Sequence, residues 1–230
     1  MCIFFPRRCK YCGEVIEPSE ALCEHCKSHL PGIEKPVCLY CGKAKEDCTC
    51  KQKKSYYDSI VAPFYYSGAI VKAVSRLKFQ SKPYLSEGYA QDMADCLKEL
   101  TPDKEYDLIC YVPFYKKDIK RRPFNQSREL ALHLSEILGV ELSDALVRLY
   151  PTGIQHRLSA SKRGGNVFGA FGVGNTDEVN GKRILLVDDI KTTGATLNEC
   201  AKMLKIYSAA SVDCVAFAIG KGKQNVDSKG

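Results

Sequence analysis

From about residue 58 onward, short apolar runs alternate along the chain with longer stretches in which apolar residues recur every three or four positions. The short runs are typical of β-strands, and the periodic stretches are typical of amphipathic helices. The pattern predicts strands over 60–66, 106–112, 182–187 and 212–219, and helices over 69–79, 85–100, 125–138 and 196–207. This alternation indicates an α/β fold with a mainly parallel sheet flanked by helices.

The stretch 184–197 combines three kinds of segment. Residues 184–187 are an uninterrupted apolar run, as expected for a strand buried on both faces of a parallel sheet. Asp188 and Asp189 follow at the strand end, where α/β folds place ligands. Small and hydroxyl residues come next, namely Thr192, Thr193, Gly194, Ala195 and Thr196. They precede a helix whose N-terminus favours an anion, so the stretch predicts a site for a phosphate and a ribose. Alternatively, Asp189 merely precedes a helix that Thr193 caps.

Eight of the thirteen cysteines lie between residues 9 and 50, in four closely spaced couples. Two Cys-x-x-Cys turns can supply the four thiolates of a closed, tetrahedral zinc site. The first set is Cys9, Cys12, Cys23 and Cys26, and the candidate second set is Cys38, Cys41, Cys48 and Cys50. The second set ends in a Cys-x-Cys, whose two thiols share one face of an extended chain and could still chelate one metal. Crossed pairing of the couples and metal-free surface thiols are the alternatives.

Length and composition bound the organisation of the protein. The chain has 230 residues, 45% of them hydrophobic, and a formal net charge of +7. We predict a cysteine-rich zinc module with a basic linker over 1–57, an α/β domain over 58–220 and a disordered tail over 221–230. No apolar run could span a membrane, and the first residues do not resemble a secretory signal. We therefore expect a cytoplasmic protein without membrane insertion, whose reduced thiols bind metal rather than form disulfides.

A basic segment follows the strand predicted over 106–112. Five cations and one carboxylate lie within residues 116–122, and cations at this density require an anion or solvent around them. The candidates for binding an anion are Lys116, Lys117, Arg121 and Arg122. A solvated basic loop and a contact with the phosphates of nucleic acid are the alternatives.

The stretch 184–197 resembles the phosphoribosyl pyrophosphate (PRPP) signature of type I phosphoribosyltransferases: an apolar strand, two acidic residues and a Thr-Thr-Gly-x-Thr loop. The resemblance implies that Asp188 and Asp189 hold the ribose hydroxyls, that 192–196 cradles the 5′-phosphate and that Mg²⁺ accompanies PRPP. It also implies that the basic segment binds pyrophosphate. Oxopurine-specific relatives carry an Asp immediately before the Thr-Gly, where this chain has Thr192, which argues against hypoxanthine or guanine as acceptor.

As a whole, the chain resembles the ComF family, which is associated with DNA uptake in competent bacteria. The resemblance extends over 9–219. It is carried by the paired cysteines, by an Arg-Pro-Phe-Asn-Gln run at 122–126 and by the segment 155–171. The glycines and basic residues of this last segment suit a flap over the ligand or, equally, a plain connecting loop.

The resemblance implies a PRPP-binding protein with a phosphoribosyltransferase fold and a zinc module, acting in DNA uptake with single-stranded DNA and the competence machinery as partners. The alternative is an active, Mg²⁺-dependent phosphoribosyltransferase whose acceptor is not an oxopurine. In that case Asp188 and Asp189 are catalytic, because they favour the positive charge that develops on the ribose as pyrophosphate leaves. A purely structural, zinc-bridged adaptor would leave the PRPP signature unexplained.

Overall fold

The computed structural model describes residues 6–50, 55–79, 84–115, 124–150 and 169–221. The helices in these ranges are α1 (Glu24–His29), α2 (Gly68–Phe79), α3 (Leu85–Leu100), α4 (Gln126–Leu138) and α5 (Ala195–Ile206). The strands are β1 (Ser59–Val61), β2 (Phe64–Tyr65), β3 (Leu108–Tyr111), β4 (Leu146–Arg148), β5 (Phe171–Val173), β6 (Arg183–Lys191) and β7 (Ser211–Ile219). All four predicted helices are therefore present, within one residue of the predicted bounds.

The main sheet is parallel, as predicted. Its strand order is β1-β7-β6-β3, and β2 continues along the free side of β7 after β1. The strand predicted over 60–66 is divided in two, and Pro63, which has no N–H to donate to a ladder, lies in the break. A second sheet, the antiparallel pair of β4 and β5, was not predicted. Each of its strands has only three residues, which is too short for a periodic pattern to show.

Helices cover both faces of the main sheet. Consecutive side chains of β6 point to opposite faces: Leu185 belongs to the core under α2, α3 and α4, whereas Leu186 belongs to the core under α5 and the β4–β5 pair. Because both faces are buried, residues 184–187 are apolar without interruption. In the part of the chain that the structure describes, no helix has the length and apolar character needed to cross a bilayer.

The cysteine-rich N-terminal segment shares the core of the α/β part. Tyr11, which is only 2% exposed, lies parallel to the Tyr89 ring and edge-on to the Phe64 ring. The guanidinium of Arg76, on α2, donates to the carbonyl oxygens of Cys9 and of the residue after it. These contacts attach the segment to the sheet and to α2 and α3, so it is not an independent appendage on a tether.

Candidate functional site

Asp188 and Asp189, here called the acid pair, lie at the carboxyl edge of the main sheet. β3 ends where Tyr111 pairs with Val187, while β6 continues to Lys191 with only β7 beside it. The strand therefore extends beyond the predicted end at residue 187, because its ladder with β7 is made by backbone groups and does not require apolar side chains. The acid pair lies within this extension, at the point where the neighbouring strand has ended.

Asp188 is buried, with 8% of its surface exposed. Its Oδ1 accepts hydrogen bonds from Ser127 Oγ at 2.9 Å and from the Asp189 backbone N–H at 2.9 Å. Burial and the neighbouring charge of Asp189 raise the pKa of Asp188 well above its usual range, and the two hydrogen bonds oppose that rise only in part. Because ionisation of Asp188 is unfavourable in the ligand-free protein, a ligand that donates hydrogen bonds to its carboxylate would stabilise the charged form.

Asp189 has a cationic partner. Its Oδ2 lies 2.6 Å from the Nζ of Lys78, in the last turn of α2, and both side chains are less than a fifth exposed. Sequence analysis missed Lys78 because no local signal separates it from the other basic residues of that helix. Only the tertiary fold brings it to the carboxyl edge of the sheet.

Ser127 was also missed, although the Asn-Gln end of the 122–126 run pointed to its neighbourhood. Asn125 caps α4 by accepting from the Ser127 backbone N–H at 3.0 Å, and its amide nitrogen donates to the Val112 carbonyl at 3.0 Å. The cap thus fixes the start of α4 against the end of β3. This placement directs the Ser127 hydroxyl to Asp188.

The 192–196 loop connects β6 to α5. Gly194 adopts a left-handed conformation with φ of +81°, which favours glycine, and α5 begins at Ala195. Thr193 Oγ1 accepts from the Ala195 N–H at 3.3 Å, but the N-cap residue is Gly194 and no side-chain hydrogen bond caps the helix. Thr192, Thr193 and Ala195 are exposed. The loop therefore presents the N-terminus of a twelve-residue helix to solvent beside the acid pair, an arrangement that favours an anion.

Several predicted site residues lie outside the described residues. They are the pyrophosphate candidates Lys116, Lys117, Arg121 and Arg122, the linker residues 51–54, most of the segment 155–171 and nearly all of the predicted tail. The described end of the 155–171 segment is packed rather than open: the Gly169 N–H donates to Glu199 Oε1 at 2.9 Å, and Phe171 is 2% exposed.

The eight cysteines between residues 9 and 50 form two clusters. In each, the sulfur atoms of all four residues lie within 4.8 Å of one another; the first cluster is Cys9, Cys12, Cys23 and Cys26, and the second is Cys38, Cys41, Cys48 and Cys50. Tetrahedral zinc with bonds of about 2.3 Å spaces its sulfurs by about 3.8 Å. The Cys12–Cys23 and Cys38–Cys50 sulfur separations, 3.5 and 3.7 Å, are close to this spacing, as is the Cys41–Cys48 separation of 3.6 Å. The Cys48 and Cys50 sulfurs, the Cys-x-Cys couple, lie closer, at 3.0 Å. All eight thiols are free of disulfides.

The two clusters are built alike. A glycine with positive φ follows the first couple of each, Gly13 at +85° and Gly42 at +78°, and turns the chain back on itself. Isolated antiparallel bridges, Arg8 with Val15 and Val37 with Ala44, close the two turns. In the first cluster, burial opposes ionisation of Cys9, but backbone N–H donors outweigh it and lower the pKa of that thiol to about 6, which favours its thiolate. Burial instead raises the pKa of the Cys23 and Cys26 thiols.

The two clusters lie against different parts of the α/β structure. The first cluster is attached to α2 and α3. The second is next to the 192–196 loop: Lys191 Nζ donates to the Cys41 carbonyl at 2.9 Å. A cavity of about 480 Å³ separates this cluster from the loop, and its walls include Tyr40, Cys50, Tyr57 and Thr193.

Family models match both parts of the chain. A phosphoribosyl transferase domain model matches residues 125–230, and a double zinc ribbon domain model matches residues 1–56. The parallel sheet, the cysteine clusters and these matches define a protein with a phosphoribosyltransferase-type fold and an N-terminal zinc-binding module.

Curated relatives identify the family. Competence protein F of Haemophilus influenzae is 29% identical, over 88% of this chain and 92% of that protein. DNA utilization protein YhgH of Escherichia coli K12 is 30% identical, over 89% of this chain and 86% of that protein. The chain belongs to the ComF family. Among solved structures, it is similar to a glutamine PRPP amidotransferase from B. subtilis, with 20% identity, a TM-score of 0.41 and coverage of 66% of this chain and 29% of that one.

Proposed function

We propose that this protein binds PRPP with Mg²⁺ at the carboxyl edge of its main sheet and acts in DNA uptake during competence. The observation that supports this ligand is that the 192–196 loop directly follows β6, the strand that holds the acid pair. Two carboxylates and the N-terminus of α5 lie next to each other there, so a ribose and its 5′-phosphate can be bound together.

Different residues are proposed to bind different parts of the ligand. Asp188 and Asp189 accept hydrogen bonds from the ribose 2′ and 3′ hydroxyls, and the backbone N–H groups of the 192–196 loop bind the 5′-phosphate. The carboxylate oxygens of the acid pair are hard donors of the kind Mg²⁺ prefers and would hold it, and the ion would supply positive charge to the diphosphate. Lys116, Lys117, Arg121 and Arg122 are the proposed partners of the pyrophosphate.

The proposed metals of the N-terminal module are two structural zinc ions. Cys9, Cys12, Cys23 and Cys26 bind the first, and the second cluster binds the other. Four thiolates close the coordination sphere, which suits a structural site and leaves no position for a substrate. Cysteines that bind metal rather than form disulfides are typical of a reducing compartment, and the cytoplasm is the proposed location.

The proposed role in competence rests on the relatives, two of which are named for competence and for DNA utilization. Single-stranded DNA and the competence machinery are the proposed partners. The cations for a DNA contact are those of the linker, Lys51, Lys53 and Lys54, which follow the second cluster directly. Such a contact would be largely electrostatic.

Calorimetric titration with PRPP and Mg²⁺ tests ligand binding. The double variant Asp188→Asn with Asp189→Asn should lose most of its affinity, because an amide cannot replace a charged carboxylate that accepts hydroxyl donors. Asp103→Asn is the matched control: it is exposed in the loop before β3, at the opposite edge of the sheet, and should bind like the wild type. Equal PRPP affinity in the double variant and the wild type would refute the site.

The second candidate function is catalysis of phosphoribosyl transfer. It is supported by the acid pair, which lies where positive charge on the ribose would be stabilised. Thr192 is exposed in the loop, at the position where oxopurine-specific relatives have an Asp, so the proposed acceptor is not an oxopurine. A pyrophosphate-release assay with PRPP, Mg²⁺ and a panel of bases distinguishes the two functions. Steady release with one base establishes the enzyme, and binding without release establishes the binding protein.

A further inference from the structure

Lys191 connects the second cysteine cluster to the loop that begins one residue later. It is the last residue of β6 and is only 6% exposed. Its backbone is fixed by β7, because it pairs with Ile219 and its carbonyl accepts from the Gly220 N–H at 2.8 Å. Its side chain leaves the sheet towards the cluster, where Nζ donates to the Cys41 carbonyl at 2.9 Å.

The side chain of Lys191 also packs against the turn of the loop. A Cβ placed on Gly194 would lie 3.0 Å from Lys191 Cε and 3.7 Å from the Tyr57 hydroxyl. Tyr57, which is buried, donates to the Tyr40 carbonyl at 3.3 Å. The Lys191 ammonium and the Tyr57 hydroxyl, both beside Gly194, therefore donate to two successive carbonyls of the 38–41 turn.

These contacts make the conformation of the loop depend on the conformation of the cluster. The turn is held by the Ile60 N–H, which donates to the Leu39 carbonyl at 2.7 Å, and by its own short backbone hydrogen bonds. A turn that small has no core of its own, so a metal bound by its thiolates would fix its carbonyls further. If the turn moved, the buried donor of Lys191 would lose its acceptor, and burying a donor without an acceptor is unfavourable. The lysine would have to leave its position, and the Gly194 turn packed on its stem would move with it.

We propose that Lys191, with Tyr57, is a positioning residue that couples metal occupancy of the second cysteine cluster to phosphate binding by the 192–196 loop. The inference rests on the proposed ligand site, and it adds that phosphate binding there depends on metal in the second cluster. The first cluster lacks this role. There the donor that corresponds to Lys191 is Arg76, on α2, whose guanidinium donates to the Cys9 and Lys10 carbonyls. Lys10 itself donates to the Gly88 carbonyl and to Asp92, both on α3.

Coupling between two binding sites is reciprocal. A ligand that carries a 5′-phosphate should therefore tighten zinc binding by the second cluster by the same factor by which zinc in that cluster tightens the binding of the ligand. Coupling free energies in proteins correspond to factors of about 5 to 150 in affinity. We expect an effect within this range for both quantities, on the second cluster alone.

The test uses the full-length, zinc-loaded protein with ribose 5-phosphate and PRPP as probes. Zinc affinity is measured by equilibrium competition with a chromophoric chelator, with and without each probe, and probe affinity is measured by calorimetry. In the wild type, the probes should raise the affinity for one of the two zinc ions at least about fivefold. In Lys191→Met, two zinc ions should still bind, but the probes should bind at least about fivefold more weakly and should no longer protect zinc.

Two further variants complete the test. Lys10→Met is the control, because it removes a lysine contact between the turn of the first cluster and α3; it should keep both probe affinity and protection. Tyr57→Phe removes only a hydroxyl and should reduce protection in the same direction as Lys191→Met, which keeps the test decisive if the lysine variant folds poorly. Equal protection in the wild type and in both Lys191→Met and Tyr57→Phe overturns the coupling alone. If the zinc-loaded wild type binds neither probe, the proposed ligand site fails, and the coupling fails with it.

Discussion

Lys78 Nζ lies 2.6 Å from Asp189 Oδ2, so one member of the acid pair carries its own counterion. The lysine comes from the last turn of α2, and the aspartate comes from the far end of β6. The partner carboxylate, Asp188, has no cation at this distance among the described residues and instead accepts two hydrogen bonds. The two adjacent carboxylates thus have different environments, and Lys78 provides a positive charge where an anionic ligand would enter.

We expect Lys78→Met to weaken PRPP binding by about tenfold, because charge-assisted contacts at a partly buried site contribute about 1.5 kcal/mol or more. Calorimetry with Mg²⁺ present measures the change. Lys72→Met, on the exposed side of the same helix, is the matched control and should bind PRPP as the wild type does. Tighter binding by Lys78→Met would show instead that the lysine competes with the ligand for Asp189.

Proton release should accompany PRPP binding. In the ligand-free protein, burial and the charge of Asp189 raise the pKa of Asp188 to about 8. Ribose hydroxyls donate to the ionised form and so lower this pKa in the complex, which means that affinity rises with pH up to about 8 and then levels off. Calorimetry in buffers of different ionisation enthalpy counts the protons released.

Ser127→Ala is the variant that assigns this pH dependence to Asp188. The Ser127 hydroxyl stabilises the charged carboxylate of Asp188. Its removal should therefore raise the pKa of Asp188 further and move the rise in PRPP affinity to higher pH. The ligand's own titration is common to both proteins and cancels in the comparison. Superimposable pH profiles of the wild type and Ser127→Ala would assign the titration to another group.

The sequence is most informative where one local run of residues determines the structure. Residues 184–187 are apolar because both faces of β6 are buried, and the acid pair follows them directly, so strand, edge and candidate site could all be predicted from adjacent positions. The cysteines form the expected groups because short turns restrict which thiols can meet. In both cases, the residues that matter are close in the chain.

Contacts between distant segments could not be predicted in this way. The pairing of Lys78 with Asp189 and the contact of Lys191 with Cys41 depend on how α2 and the cysteine-rich segment pack on the sheet. No periodicity in the sequence records that packing. Nothing in the sequence around Tyr11 indicates that this residue shares a core with Tyr89. Their contact makes the N-terminal segment part of the α/β structure.

This shared core sets the expected effect of removing zinc. The double variant Cys9→Ser with Cys12→Ser should lose one of two zinc equivalents and should also lower the midpoint of the main thermal unfolding transition, because Tyr11 and Arg76 join the first cluster to α2 and α3. Elemental analysis of anaerobically purified protein and calorimetric unfolding measure the two effects. Cys48→Ser with Cys50→Ser is the matched variant and should lose the other equivalent. Two equivalents retained in either variant would refute the assigned ligands.

The DNA contact and the pyrophosphate contact should be separable by charge removal. Replacing Lys51, Lys53 and Lys54 by Ala should lower the affinity for single-stranded DNA and flatten its salt dependence, since each DNA phosphate that a lysine no longer neutralises reduces the slope by about 0.7. PRPP affinity should not change. Replacing Lys116, Arg121 and Arg122 should instead weaken PRPP more than DNA.

Filter binding over a salt series decides between a DNA-binding linker and a simple tether. The slope for the linker variant should be smaller than that of the wild type by about 2, because three lysines no longer neutralise phosphates. The variant in which Lys116, Arg121 and Arg122 are replaced removes three positive charges, as the linker variant does, and is therefore the control for net charge. If both variants flatten the slope equally, the protein's overall positive charge, rather than the linker, accounts for DNA binding. If neither changes it, the linker only connects the second cluster to the sheet.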